Sequence, residues 1–154
     1  MLSRLERKVP PPVVAIIAAG IMWLLTREVT VSIYEVPNKA IICSVLAAAG
    51  FLVDFAALWL FMKAKTTVNP IKPNKASTLV TTGIYRYTRN PMYIGNLIFL
   101  LAWLVWLGSA YGFVGLILYV VYMNKFQIKP EEKALLSLFG NEYGLFCSKV
   151  RRWV

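Results

Sequence analysis

From Lys39 to Met62 the chain carries no charged side chain beyond the opening lysine except Asp54. A run of that length matches the roughly 20 apolar residues that cross a bilayer core. Lipid offers no solvent to pair backbone amides, so such a run must be a helix that satisfies its own. Three further stretches read the same way: Pro10–Thr26, Pro91–Leu107 and residues 110–126. The last has the shortest apolar run, Gly112–Lys125, below the lower limit of about 17 residues. The expectation is an all-α, polytopic membrane protein with four transmembrane helices and cytoplasmic amphipathic C-terminal helices, one integral membrane domain over residues 1–154. A hydrophobic share of 58% against 16% charged residues lies outside the balance of a soluble domain.

Arg4, Arg7 and Lys8 ahead of the first run also resemble the start of a secretory signal. No small-residue cleavage site follows Leu25, however; the chain meets Thr26, Arg27 and Glu28, which favours a retained span. Orientation follows from the basic residues, because short loops rich in Lys and Arg stay on the cytoplasmic side. Fifteen of the seventeen lie in the amino-terminal tail, the 63–90 loop and the carboxyl-terminal tail, leaving Arg27 and Lys39 on the other side. Both termini are therefore expected in the cytoplasm.

A net charge of +10 raises nucleic acid as a partner, yet the basic residues follow the membrane margin and no nucleic-acid-binding motif accompanies them. Anionic headgroups of membrane lipids are the expected partner. Cys43 and Cys147 fall on opposite sides of the bilayer in this topology, so no intrachain disulfide is expected, and their spacing points to no metal site.

Pro10, Pro11 and Pro12 mark the start of the first helix, where a missing amide hydrogen costs little. Residues 27–38 make a short outer loop. The 63–90 loop carries six basic residues and no acidic one, and its Pro70, Pro73 and Gly83 predict turns rather than a long helix. A connection of that length between spans is uncommon unless it works. "GSAYG", residues 108–112, forces an antiparallel hairpin of the third and fourth spans. In the 127–154 tail, Leu135, Leu136, Leu138, Phe139, Leu145, Phe146 and Trp153 alternate with charges. That pattern predicts amphipathic helices on the inner membrane surface, broken at Gly140. Ala47, Ala48, Ala49 and Gly50 fit close helix packing.

"YRYTRNPMYIG", residues 85–95, sets dense polar chemistry at the entrance to the third span. Asn90-Pro91 reads as a helix start, with Asn as cap and Pro at the first helical position. The positive end of that helix, with Arg86 and Arg89 upstream, makes a seat for a carboxylate or phosphate. An ordinary capped span whose arginines touch lipid phosphates, with Tyr85, Tyr87 and Tyr93 as interfacial belt residues, explains the same pattern. Gly95 permits a close approach to the backbone. Lys129-Pro130-Glu131-Glu132 reads as a second helix start, whose acids complement the dipole or face back to hold a cationic or hydroxylated ligand group. Asp54, deep in a span, marks a functional site or a neutral, hydrogen-bonded carboxyl. The absence of histidine excludes a histidine base, and no Walker or Rossmann glycine loop appears. Catalysis must then work by positioning and electrostatics, which suits methyl transfer from a sulfonium donor.

"LVTTGIYRYTRNPMYIG" followed by "PEEKALLSLFGNEY" closely resembles the integral-membrane methyltransferases that group isoprenylcysteine carboxyl methyltransferase with the phospholipid methyltransferases, over roughly residues 66–152. The resemblance implies S-adenosylmethionine as cofactor, bound by Ser77, Thr78, Leu79, Val80, Tyr85, Asn90, Pro91, Met92 and Tyr93, with Glu131 and Glu132 completing the site. It also implies a lipophilic acceptor arriving from the bilayer, with Arg89, Lys125 and Gln127 as candidates for positioning it. Two departures stand out. The family's usual His before Pro is Asn90, and the position matching Gln127 carries an arginine in the carboxyl-methylating branch, which weakens the case for a prenylcysteine carboxylate. A phospholipid amine methyltransferase is the alternative. A small four-span transporter, with Asp54 as its coupling carboxylate, is a further one.

Overall fold

The computed structural model describes residues 9–28, 36–65 and 78–154. Among them there is no strand. Helix α1 spans Pro11–Glu28, α2 Lys39–Lys63, α3 Pro91–Leu107 and α4 Phe113–Tyr122, followed by α5, Lys129–Phe139, and α6, Asn141–Lys149. Single 3-10 turns at Gly83–Arg86 and Ala110–Gly112 precede α3 and α4.

The first four helices alternate in direction. Near its start α1 meets the segment that follows α4, where Gln127 donates to the carbonyl of Val9; near its end Met22 lies against Gly115. Cys43 at the start of α2 donates to the Ala102 carbonyl late in α3, 3.2 Å away. Trp103 of α3 donates to the carbonyl of Ala19 at 3.1 Å, tying α3 to α1. Small residues set the spacing. A Cβ on Gly50 would lie 3.2 Å from the carbonyl of Gly95 and 3.2 Å from the Phe99 ring, so α2 and α3 touch nearly backbone to backbone. Val14, Ala18, Met22, Leu100, Leu104, Leu116, Tyr119 and Met123 fill the space between α1, α3 and α4.

Among the described residues α2 alone is both long and apolar enough to cross a membrane; α1 and α3 are apolar but shorter. The apolar window of α2 is only 11% buried inside the protein. A core helix of a soluble domain would be mostly covered, so this outward apolar surface needs another solvent.

The expected new helix start at Lys129-Pro130 is not one. The chain continues from α4 into α5 through a π-helical segment, Met123–Ile128, and Ile128 itself has helical angles. Pro130 supplies the reason: its ring presses on the carbonyl four residues back and it has no amide to donate. The wide turn, in which the Lys129 amide reaches the carbonyl of Asn124, lets the helix pass that position unbroken. Nor does Asn90 cap α3 with its side chain. Gly140, at φ +53, ends α5 and turns the chain into α6, where the sequence placed a break.

Candidate cofactor site

The helix continuity changes the reading of the two acids. With no free helix start at Lys129, there are no orphan amides for Glu131 and Glu132 to compensate. Both are instead spent on tertiary contacts. The Tyr93 hydroxyl, on the first turn of α3, donates to Oε2 of Glu131 at 2.8 Å. Tyr93 is buried, and Tyr119 of α4 donates to its carbonyl at 3.3 Å, which fixes the start of α3 against α4.

Glu132 takes a forked pair from Arg152, with Nε 2.9 Å from Oε1 and Nη2 2.7 Å from Oε2. It also pairs with Arg89 Nη1 at 3.1 Å. The forked bond to Glu132 raises the Arg152 pKa, so this group stays charged at any working pH. The carboxyl-terminal segment thereby straps the entrance of α3. The Arg89 amide donates to the Arg151 carbonyl at 3.0 Å. The Arg152 carbonyl receives the Asn90 side-chain amide at 2.8 Å and the Thr88 hydroxyl at 3.3 Å. Trp153 closes the strap by donating to Asn124 at 3.1 Å.

Between these elements lies a partly open cleft. Thr78, Leu79, Val80, Tyr85, Arg89, Asn90, Pro91, Met92, Tyr93, Glu131 and Glu132 all line it. Ser77 lies outside the described residues. The cleft also takes Phe61 from the end of α2, Ile128, and Leu135, Phe139, Tyr143 and Phe146 from α5 and α6, which motif reading did not assign. Leu135, Phe139 and Phe146 were visible as apolar positions in the tail, read there as a membrane-facing stripe; Phe61, Ile128 and Tyr143 were not singled out. The stripe divides: Leu136, Leu138 and Leu145 face outward, while Phe139 and Phe146 close over the cleft.

Lys125 and Gln127 do not line the cleft. Lys125 is exposed and lies over the Phe126 ring, 5.5 Å from its centroid; Gln127 is buried and turned to Val9. Arg86 is exposed as well. Asp54 does not line the cleft; its carboxyl group packs against Gly95 of α3.

Burial, then the charge of Glu131, then that of Asp54 push the Tyr85 hydroxyl well above its ordinary range, so it remains a neutral donor. Tyr143 is raised too, chiefly by burial. The Phe61 ring meets Tyr85 edge-on at 5.5 Å. The cleft thus offers aromatic walls for a flat ring, the positive end of α3 for an anionic group, and Glu131 for a cation or hydroxyls.

A Haemophilus influenzae protein of uncharacterised function is 46% identical over 63 residues, 41% of this chain and 100% of that protein. Protein-S-isoprenylcysteine O-methyltransferase of Schizosaccharomyces pombe is 40% identical over 82 residues, 51% of this chain but only 34% of the yeast enzyme, so the shared part is about a third of it. No solved structure matches. Residues 38–142 match the family model described as phospholipid methyltransferase, and with more than half its length inside that match the chain belongs to the phospholipid methyltransferase family.

Proposed function

We propose that this protein is an integral-membrane methyltransferase that uses S-adenosylmethionine and transfers its methyl group to a small lipophilic or lipid acceptor. The observation that carries the reading is the meeting of α3 and α5 across one cleft, through Tyr93 and Glu131. The residues present fit the cofactor. Glu131 suits the ribose hydroxyls or the amino group, the α3 start suits the carboxylate, and Tyr85, Phe139, Tyr143 and Phe146 suit the purine. The bound cofactor supplies an electrophilic methyl on sulfur. The chain's part is to hold it at the lipid margin, exclude water with the aromatic lid of α5 and α6, and admit the acceptor from the bilayer. In this reading the first four helices all span the membrane, with α4 extended through the π segment, and the cleft faces the cytoplasm. The anionic lipids of that leaflet are the partners of the basic margin.

The cations near the cleft are only partly committed. Arg152 forks onto Glu132; Arg89 lines the cleft, shares Glu132 through Nη1 and keeps Nε without a partner among the described residues, while Lys125 and Gln127 lie off the cleft. A second form of the reading, a phospholipid-type amine acceptor, is supported by the family model, described as phospholipid methyltransferase.

Purified full-length protein is expected to bind S-adenosylhomocysteine at micromolar strength by calorimetry, and Tyr93→Ala and Glu131→Ala should each weaken binding by about tenfold, the cost of one charge-assisted hydrogen bond. Unchanged binding in both variants rejects the site.

A further inference from the structure

Asp54 stands two helical turns below Phe61 on the same side of α2, since residues seven apart share a face. Phe61 lines the cleft; Asp54 lies deeper, at the seam where α2 meets α3. The seam is built around its carboxylate. A Cβ on Gly95 would sit 2.0 Å from Oδ1 and 2.5 Å from the carboxyl carbon, so only glycine leaves space for this side chain. Gly95 follows Tyr93 by two residues, which ties the seam to the cleft wall. Oδ1 is sealed from solvent and has no hydrogen-bond partner among the described residues. A carboxyl oxygen buried in an apolar span without a partner is costly. Retaining it and clearing a glycine for it is the arrangement expected of a group whose partner arrives from outside.

The outer side of the seam indicates what arrives. Phe51, Phe55 and Trp59 of α2 stack in series, 6.4 Å and 6.3 Å between ring centroids, and all three are exposed on the lipid-facing surface beside Asp54. Their row offers an apolar rail for a hydrocarbon tail that runs past the level of the carboxylate, which lies between Phe51 and Phe55 along the helix.

We propose that Asp54 is the acceptor-docking residue: it receives the amine head of a lipophilic acceptor at the α2–α3 seam and takes its proton before methyl transfer. This rests on the methyltransferase reading and assigns its acceptor group. The acceptor arrives as an ammonium, attracted to the Asp54 carboxylate, and one N–H proton passes to a carboxylate oxygen. The neutral amine then moves along the seam to the cleft, where its lone pair forms the new N–C bond while the S–C bond of the sulfonium donor breaks, leaving that electron pair on sulfur. The product leaves as a methylated ammonium, and Asp54 returns its proton to water. A carboxylate acceptor would be repelled at the same place.

The experiment uses the full chain in nanodiscs with radiolabelled methyl donor, offered dodecylamine in one arm and dodecanoic acid in the other. Label is expected in the amine and not in the acid. Asp54→Asn, close in shape but neutral, should lower kcat/KM on the amine by roughly 100-fold, the lower end for a positioned acid–base group. Asp54→Glu should recover part of that loss, which a packing role would not allow at a seam this tight. S-adenosylhomocysteine affinity should stay within about twofold of wild type in both variants, since Asp54 lines no part of the cleft that would hold the cofactor. Amine turnover by Asp54→Asn at the wild-type rate, or label in the acid alone, overturns the assignment of Asp54 and leaves the cofactor site standing. Failure of the wild-type protein to bind S-adenosylhomocysteine overturns the methyltransferase reading itself, and this assignment with it.

Discussion

A methyl group on residue 95 would lie 2.0 Å from the Asp54 carboxylate, and it would enter where Gly50 already brings the helix backbones together. Gly95→Ala should therefore cost about 1–3 kcal/mol by overpacking, measured as a lowered thermal midpoint in detergent. Because the clash is with one side chain, pairing it with Asp54→Ala should recover most of the loss, a coupling of the size seen between residues in contact. If the two losses simply add, the seam is not packed around Asp54. The sequence singled out both residues but not their pairing, since nothing in a chain of 154 residues states that positions 54 and 95 face each other. Glu131 and Tyr93 were placed at one site only by the resemblance; the residues alone left Tyr93 open as an interfacial belt residue and Glu131 as a partner of the helix dipole. Asn90 was only half legible. Its place before Pro91 was evident, but its side chain goes to a carbonyl 62 residues away rather than to the helix it precedes.

The elements show where local logic fails. Lys129-Pro130-Glu131-Glu132 has every mark of a helix start, and the π segment carries the helix through it regardless. A π turn depends on how the flanking turns are anchored, here by Ile128 and Met123 in the core and by Glu131 at Tyr93, and not on a residue pattern of its own. The tail was legible as amphipathic helices with a break at Gly140, but periodicity cannot tell an apolar face that meets lipid from one that covers a cleft. The strap after α6 was not foreseen at all. It supplies the acceptors for Arg89, Asn90 and Thr88 through backbone carbonyls, which any sequence would carry. Truncation after Lys149 removes these acceptors together with the Arg152 guanidinium and the buried Val150. S-adenosylhomocysteine binding should then fall by at least about tenfold, for loss of several hydrogen bonds at roughly 1 kcal/mol each. Arg152→Ala keeps the carbonyls and should lose less. Equal loss in the two proteins would assign the whole effect to the Glu132 pair and none to the backbone strap.

At the scale of the whole molecule, four helices alternating in direction put two kinds of surface at opposite ends. One end holds the cleft, the strap and the basic residues of α5 and α6; the other holds the starts of α2 and α4, with Lys39 over the Trp106 ring at 5.1 Å. Between them α1, α2 and α4 present Ile16, Leu24, Val45, Leu52, Ile117 and Val121 outward. An apolar belt between two polar ends is what a bilayer requires, and it accounts for helices whose inward faces alone would not repay their burial. On the proposed membrane reading, the excess of Lys and Arg at the cleft end predicts that this end faces the cytoplasm. Ser137, exposed on α5, and Tyr111, exposed at the α3–α4 turn, report on the two ends. In a background with Cys43→Ala and Cys147→Ala, Tyr111→Cys should react with a membrane-impermeant maleimide in intact cells, and Ser137→Cys only after the membrane is opened. The opposite pattern would place the cleft on the far side, away from the cytosolic cofactor pool. Labelling of both in intact cells would mean that the four-helix bundle does not cross the bilayer.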